Sequence, residues 1–272
     1  MSILQAFLLG LLQGIAEFLP ISSSGHLSLA ESLLGLDDIP LLFDILLHLA
    51  TLLAVVVFFW KKIWQLLCAF GRLIIRRPIS NDMLAEEKNR RSFILAIFLA
   101  TLVTGVLGLI VEKLLGEMPV KFVCLGFIIT SFLLIASSIS VRHSALPEEG
   151  KSPSAWQALF IGFAQGIGTL PGISRSGSTI ASALFCGLDR TVAGEFSFLV
   201  SIPAILGAFF LELKDLSNLT EIGLAPLAVG FLTAFVFGYL ALMFLMKLIK
   251  KGRLGWFALY LIPLGLAGLV LL

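Results

Sequence analysis

The sequence predicts an all-α polytopic membrane protein built as an inverted-topology repeat, with six transmembrane helices and two re-entrant helical hairpins. Three observations predict it. The 272 residues are 58% hydrophobic and only 13% charged, with a mean hydropathy of +1.05. A soluble domain of this size carries about 25% charge. Apolar runs near the ~20 residues that a spanning helix needs recur along the chain. One segment of twenty-one residues recurs later in the chain without a gap, nine of its positions identical.

Taken in order, residues 3–34 form an apolar stretch interrupted near its middle by Pro, Gly and Ser. Its halves are too short to cross alone. It reads either as one kinked span or as a hairpin of two half-helices, and broken backbone at membrane depth requires protein or a water-filled cavity around it. Spans follow at 41–60, 93–113 and 119–140. Residues 155–188 repeat the interrupted pattern, and further spans follow at 195–213, 224–248 and 254–272. Basic residues are concentrated in 61–92, 141–156, 189–194 and 247–253, which hold fifteen Lys and Arg, against three (Lys113, Lys121 and Lys214) on the other side, with Arg175 set apart. The positive-inside rule makes the rich side cytoplasmic and, with 3–34 as a hairpin, puts both termini outside. The N-terminal segment lacks a basic stretch and a cleavage site and is not read as a removable signal. Cys68, Cys124 and Cys186 show no metal-ligand spacing and predict no disulfide framework. A net charge of +2 offers a nucleic acid no attraction, so no such partner is expected.

Residues 6–26 (AFLLGLLQGIAEFLPISSSGH) align without a gap on 158–178 (ALFIGFAQGIGTLPGISRSGS), at an offset of 152 with nine identities. Matches in register such as Gln13-Gly-Ile with Gln165-Gly-Ile, and Ile21-Ser-x-Ser-Gly25 with Ile173-Ser-x-Ser-Gly177, indicate duplication. Residues 1–140 and 152–272 are then two repeats of a single membrane domain. Three spans separate the copies, so the two hairpins enter from opposite sides and their tips meet near the midplane, where inverted repeats place binding sites. Each tip leads into a short helix expected to start near Gly25 or Gly177. Two helix N-termini facing one point make an anion site.

Identical positions read as scaffold, Gln13 and Gln165 included, and chemistry belongs where the copies differ. Glu17 aligns with Thr169, Ser23 with Arg175 and His26 with Ser178. An acid inside an apolar run is costly unless paired or hydrated. Glu17 is therefore either half of a structural ion pair with Arg175, or a catalytic or metal-binding group. Arg175, flanked by Ser and Gly, suits bidentate phosphate binding. Ser22, Ser24, Gly25, Ser174, Ser176, Gly177 and Thr179 surround it as candidate substrate-binding groups. His26 is a candidate acid or base, and Ser23 either a nucleophile or a helix cap. Asp44 and His48, at i and i+4, either line the cavity or sit at the interface. Together these groups suit phosphoryl transfer, with Glu17 able to hold Mg²⁺ or Ca²⁺ and Asp44 a candidate second oxygen ligand. No P-loop occurs.

At these residues the sequence resembles the undecaprenyl-diphosphate phosphatase family of the bacitracin-resistance type. The carrying stretches are Gln13-Gly-Ile-Ala-Glu17-Phe-Leu-Pro-Ile-Ser-Ser23-Ser-Gly-His26 and Pro171-Gly-Ile-Ser174-Arg175-Ser176-Gly-Ser-Thr179-Ile. Softer matches are Phe43-Asp44 with His48, and Glu195 to Pro203. The resemblance covers essentially the whole chain. It implies hydrolysis of undecaprenyl diphosphate to the monophosphate and inorganic phosphate, a divalent metal, bacitracin resistance and a place in the bacterial inner membrane. It also implies roles for Glu17, Ser23, His26 and Arg175. The first motif position, Glu in some relatives, is Gln13 here, which leaves Glu17 the main acid. A lipid transporter or flippase using the same midplane site is the alternative, and a homodimer is left open. The reading requires Arg175 to lie beside Glu17 and His26.

Overall fold

The computed structural model describes residues 1–34, 41–75, 83–114, 119–143, 150–212 and 223–271. Its helices are α1 (Ile3–Phe18), α2 (Ser23–Leu34), α3 (Leu41–Phe58), α4 (Trp60–Ile75), α5 (Leu84–Leu114), α6 (Val120–His143), α7 (Ala155–Ile167), α8 (Arg175–Phe185), α9 (Arg190–Glu212), α10 (Leu224–Lys250) and α11 (Ala258–Leu271), the last preceded by a 3-10 turn at Leu254–Phe257. The fold is all-helical among the described residues. Five helices are long and apolar enough to cross a membrane, and α3 with α4 makes a sixth, bent by 79°. The expected span at 41–60 therefore ends in a sharp turn, and residues 60–75, read from charge as a loop, form a helix instead. That helix alternates Lys61, Lys62 and Arg72 with exposed Trp60, Trp64, Leu67 and Phe70, an amphipathic pattern that ordinary span-finding overlooks.

The repeat reaches further back than the twenty-one residues that define it in the sequence. Ser2 caps α1 in a capping box with Gln5, and Ser154 caps α7 in one with Gln157, again 152 residues on. In each box the serine oxygen accepts the backbone N–H three residues on, and the glutamine returns a bond to the cap. Both helices are short because their apolar runs stop at a break. The helices after the breaks start at Ser23 and Arg175, two residues earlier than expected. Ser22 Oγ accepts the Gly25 N–H at 3.3 Å and Ser174 Oγ accepts the Gly177 N–H at 3.1 Å, so the serine before each start serves as its cap.

Glycine contacts give the helix directions. A Cβ on Gly10 would lie 2.5 Å from Gly230 O, and one on Gly14 would lie 2.7 Å from Ala234 O. A Cβ on Gly162 would meet Ala100 O at 2.5 Å, and one on Gly166 the Leu107 side chain at 2.6 Å. Hence α1 runs parallel to α10, and α7 parallel to α5, each pair at backbone-contact distance that only glycine allows. Phe18 at the end of α1 touches Gly238, the middle of α10, so α1 stops halfway.

Hydrogen bonds gather the basic segments at one end of the bundle. Asn89 donates to Gly150 O at 2.8 Å, Gly150 N donates to Asp189 Oδ2 at 3.1 Å, Arg190 donates to Lys250 O at 3.0 Å, and Lys62 pairs with Glu195 at 3.0 Å. α5 leaves this basic end and α10 arrives at it. It follows that α1 and α7 enter from opposite ends of the bundle. α11 also leaves the basic end, as its Gly255 N bonds Ser138 Oγ while Gly265 and Gly268 lie against Cys124. Both described chain ends therefore lie at the end away from the basic residues.

These contacts carry a direct test. Gly10→Val and Gly162→Val force α1 from α10 and α7 from α5, and each is expected to cost about 1–3 kcal/mol from overpacking. Gly105→Ala, where a Cβ meets nothing within 4 Å, is expected to leave stability unchanged or slightly raised. Thermal unfolding in detergent reads all three.

Candidate active site

The two hairpin tips touch. Pro20 Cβ lies 3.2 Å from the position a Gly177 Cβ would take, and Ser176 Oγ donates to Leu19 O at 3.5 Å. Tight backbone makes this possible. Ser22 adopts φ 71° in the first tip and Gly172 φ 84° in the second. Gly172 has no alternative, because a Cβ there would fall 2.0 Å from Val123 O. Thr130 pins the second tip by donating to Gly172 O at 3.4 Å while accepting the Ser174 N–H at 3.0 Å.

The first residues of α2 and α8 occupy equivalent positions in the repeat, and both bind one carboxylate. Ser23 Oγ donates to Glu17 Oε2 at 2.6 Å, and Arg175 Nη2 donates to Glu17 Oε1 in an ion pair. Glu17 is buried, with a side chain only 5% exposed. A buried carboxylate needs such partners, since its desolvation in an apolar medium otherwise exceeds what packing returns. Arg175 Nη1 is also buried and has no hydrogen-bond partner among the described residues. The guanidinium thus holds Glu17 with one arm and keeps the donors of its other arm unused.

Gln13 belongs to this site, contrary to its reading as scaffold. Its amide Nε2 donates to Glu17 Oε2 at 3.2 Å and to His48 Nδ1 at 3.0 Å. Its repeat partner Gln165 bonds Thr104 Oγ1 at 3.0 Å instead, and that hydroxyl bridges α5 to Gly162 O at 3.0 Å. The duplicated glutamine is scaffold in one copy only. His48 lies 3.8 Å from both Glu17 and Asp44, and side-chain exposure rises from Glu17 at 5% through His48 at 33% to Asp44 at 41%. α3 runs beside α10 with Phe43 against Gly230 and Thr51 against Gly238, so this polar line leads from the buried site toward the end away from the basic residues.

His26 points elsewhere. Its Nδ1 faces Ser22 O at 2.8 Å, so Nδ1 carries the hydrogen and donates. Its Nε2 lies 2.8 Å from Tyr260 Oη, and the two rings stack at 5.6 Å. His26 is not among the hydrogen-bond partners of Glu17, Ser23 or Arg175. The imidazole beside the carboxylate is that of His48, and the expected arrangement is corrected in that one respect. At the start of α2, Ser23 meets Glu17 of α1, whereas His26, three positions on, meets Tyr260 of α11. The remaining candidates are partnered locally. Ser22 and Ser24 hydroxyls lie 3.4 Å apart, those of Ser174 and Ser176 3.3 Å apart, and Thr179 donates to Arg175 O at 3.0 Å.

Residues 6–267 match the family described as bacitracin resistance protein BacA. The chain belongs to this family. An undecaprenyl-diphosphatase of Treponema denticola is 52% identical, the match covering 98% of this chain and 96% of the relative. One from Methanosphaera stadtmanae is 41% identical over 100% and 98%, and undecaprenyl-diphosphatase 1 of Shouchella clausii is 38% identical over 96% and 93%.

Among the described residues no three His, Cys, Asp or Glu side chains converge on one point. A cage supplied wholly by the protein does not fit. Glu17 and the buried Gln13 Oε1, which lacks a hydrogen-bond partner among the described residues, do fit a cation that arrives largely on substrate oxygens.

Three residues escaped the sequence reading in part or whole. Gln13 was hidden by its identity with Gln165, His48 was noticed only as a possible cavity wall, and Tyr260 was missed. Tyr260 is one of only two tyrosines in the chain, and a hydroxyl inside an apolar run was the available signal. Arg175→Ala is expected to destabilise the protein by about 3–5 kcal/mol, because it strands a buried carboxylate. Adding Glu17→Gln should recover much of that loss. A thermal-unfolding double-mutant cycle measures the coupling.

Proposed function

We propose that this chain hydrolyses undecaprenyl diphosphate to undecaprenyl phosphate and inorganic phosphate, renewing the lipid carrier of wall synthesis and thereby conferring bacitracin resistance. The observation that carries the mechanism is the Glu17 carboxylate, which holds the Ser23 hydroxyl on one oxygen and the Arg175 guanidinium on the other. Ser23 attacks the terminal phosphorus and passes its proton to Glu17, within the reach required of a general base. The bond from that phosphorus to the bridging oxygen breaks, and polyprenyl phosphate leaves with the proton that Glu17 returns to its oxygen. Water then attacks the phosphorus, giving its proton to the freed Glu17 carboxylate, and phosphate leaves as Glu17 passes that proton back to Ser23 Oγ. Arg175 Nη1 and the N-termini of α2 and α8 offset charge on the transferred group. Ser22, Ser24, Gly25, Ser174, Ser176, Gly177 and Thr179 build and brace the turns that present those N–H groups. His26 holds the first turn through Ser22 O.

Mg²⁺ or Ca²⁺ bound with the diphosphate, held on the protein by Glu17 and Gln13 Oε1, would neutralise phosphate charge. Asp44, at the outer end of the polar line, is placed to receive such a cation on entry. The fold supports two inverted repeats, 1–140 and 152–272, in one membrane domain. Positive-inside bias supports the basic end as cytoplasmic, with both termini outside a bacterial inner membrane and the polar line from Asp44 opening outward. The named relatives are hydrolases, and no observation favours transport or a homodimer over a single catalytic chain.

A phosphate-release assay on purified protein tests the reading. Polyprenyl diphosphate should be hydrolysed in detergent, and EDTA should suppress the rate. Arg175→Ala and Glu17→Gln should each lower kcat by about 10²–10³ or more, the loss typical of a removed transition-state partner. Ser23→Ala should do the same and abolish a trapped phosphoserine. Full activity of Ser23→Ala would assign the attack to water.

A further inference from the structure

Among the described residues Ser22 is the one residue other than glycine with a left-handed backbone, at φ 71°. Its counterpart in the repeat, Ser174, takes φ −76°. Both serines cap their helices in the same way, Oγ accepting from Gly25 N in one copy and Gly177 N in the other, so capping does not explain the difference. A side chain in the left-handed region is held there by its surroundings. The surroundings diverge four positions on, where the first copy has His26 and the second Ser178.

His26 gives the Ser22 carbonyl two donors, its backbone N–H at 3.2 Å and ring Nδ1 at 2.8 Å. Ser178 gives Ser174 O its backbone N–H at 2.8 Å, while its buried hydroxyl has no hydrogen-bond partner among the described residues. The Ser22 carbonyl belongs to the planar peptide that carries Ser23. Fixing that plane fixes the direction from which Ser23 Oγ reaches Glu17 Oε2 at 2.6 Å.

The ring donor exists only in one tautomer. A neutral imidazole that donates from Nδ1 accepts at Nε2. The group at Nε2 is Tyr260 Oη, 2.8 Å away, and its phenol hydrogen supplies that bond. Packing already sets the plane of the imidazole, with the Phe127 ring at 5.0 Å and the Tyr260 ring stacked at 5.6 Å. The tyrosine hydroxyl therefore adds one thing, the choice of nitrogen that carries the hydrogen. Tyr260 makes that choice from α11, at the wall of an apolar groove of about 940 Å³ that Ile21 and His26 also line.

We propose that Tyr260 is a positioning residue for the nucleophile: through the tautomer of His26, its hydroxyl holds the Ser22–Ser23 peptide in the turn that delivers Ser23 to Glu17. The proposal rests on the phosphatase reading, with Ser23 attacking, and deepens it. Tyr260 acts through His26 and Ser22, so its hydroxyl governs the rate of attack and not the binding of substrate.

Tyr260→Phe keeps the stacked ring and removes one oxygen. On the intact protein in detergent it should lower kcat for polyprenyl diphosphate about tenfold, the scale of one neutral hydrogen bond, with KM and thermal stability unchanged. Tyr239→Phe, at the chain's other tyrosine, which packs on Phe58, should leave kcat where it was. His26→Asn offers an amide N–H in place of Nδ1–H and should retain more activity than His26→Ala. In the His26→Asn background Tyr260→Phe should cost nothing further, the non-additivity of residues that act in series. The nitrogen-15 spectrum of histidine-labelled protein reads the tautomer directly. One of the three histidines, missing from His26→Asn, should carry its hydrogen on Nδ1, and Tyr260→Phe should move it. Full kcat in Tyr260→Phe, additive losses in the double variant, His26→Asn no better than His26→Ala, or a wild-type His26 protonated on Nε2 alone each overturns the proposal. A wild type that releases no phosphate while its tautomer still responds to Tyr260→Phe would defeat the phosphatase reading and keep the coupling of Tyr260 to His26.

Discussion

The ion pair between Glu17 and Arg175 is the constraint on which the architecture turns. A carboxylate at membrane depth is tolerable only with a cation and hydrogen-bond donors at hand. Glu17 has a guanidinium, a serine hydroxyl and an amide N–H as direct partners. The amide comes from Gln13 one turn back on the same helix, but neither the guanidinium nor the hydroxyl could be supplied by a continuous helix crossing alone. The cation arrives from a hairpin entering at the opposite end of the bundle, and the hydroxyl arrives only because the first hairpin turns at Ser22. Breaking both helices exposes N–H groups at mid-depth, and the hydroxyls of Ser22 and Ser174 cap them at Gly25 and Gly177.

Close backbone contact sustains the arrangement. Gly10 and Gly14 seat α1 on α10, Gly162 and Gly166 seat α7 on α5, and the half-length helices gain from these contacts the support that spanning length would otherwise provide. The duplicated caps at Ser2, Ser154, Ser22 and Ser174 show what the shared residues do: they begin helices. Function entered by divergence on that common frame. Ser23 and Arg175 occupy equivalent positions yet bind opposite oxygens of one carboxylate, and Gln13 turns to the site while its counterpart Gln165 stays with Thr104.

The result is an asymmetric site inside a nearly symmetric scaffold. A polar line through His48 and Asp44 leads away from the basic end, and an apolar groove passes the tip on the lipid side. Tyr260 and His26 stand where the groove meets the turn that carries Ser23.

Much of this was legible in the residues themselves. Hydropathy identified the spans because a bilayer imposes length and apolarity on every crossing helix. The duplication identified the hairpins and their opposite sense, and the divergent positions singled out Glu17, Ser23 and Arg175, because an ionisable group in an apolar run must have a reason. What the chain alone could not determine was direction within the tips. Ser23 and His26, three apart on α2, are neighbours on the helix surface, and only packing against α1 and α11 decides that one meets Glu17 and the other Tyr260. Gln13 was illegible for the same reason: identical side chains have identical hydrogen-bonding capacity, and the tertiary neighbours, His48 and Glu17 in one copy and Thr104 in the other, choose its use.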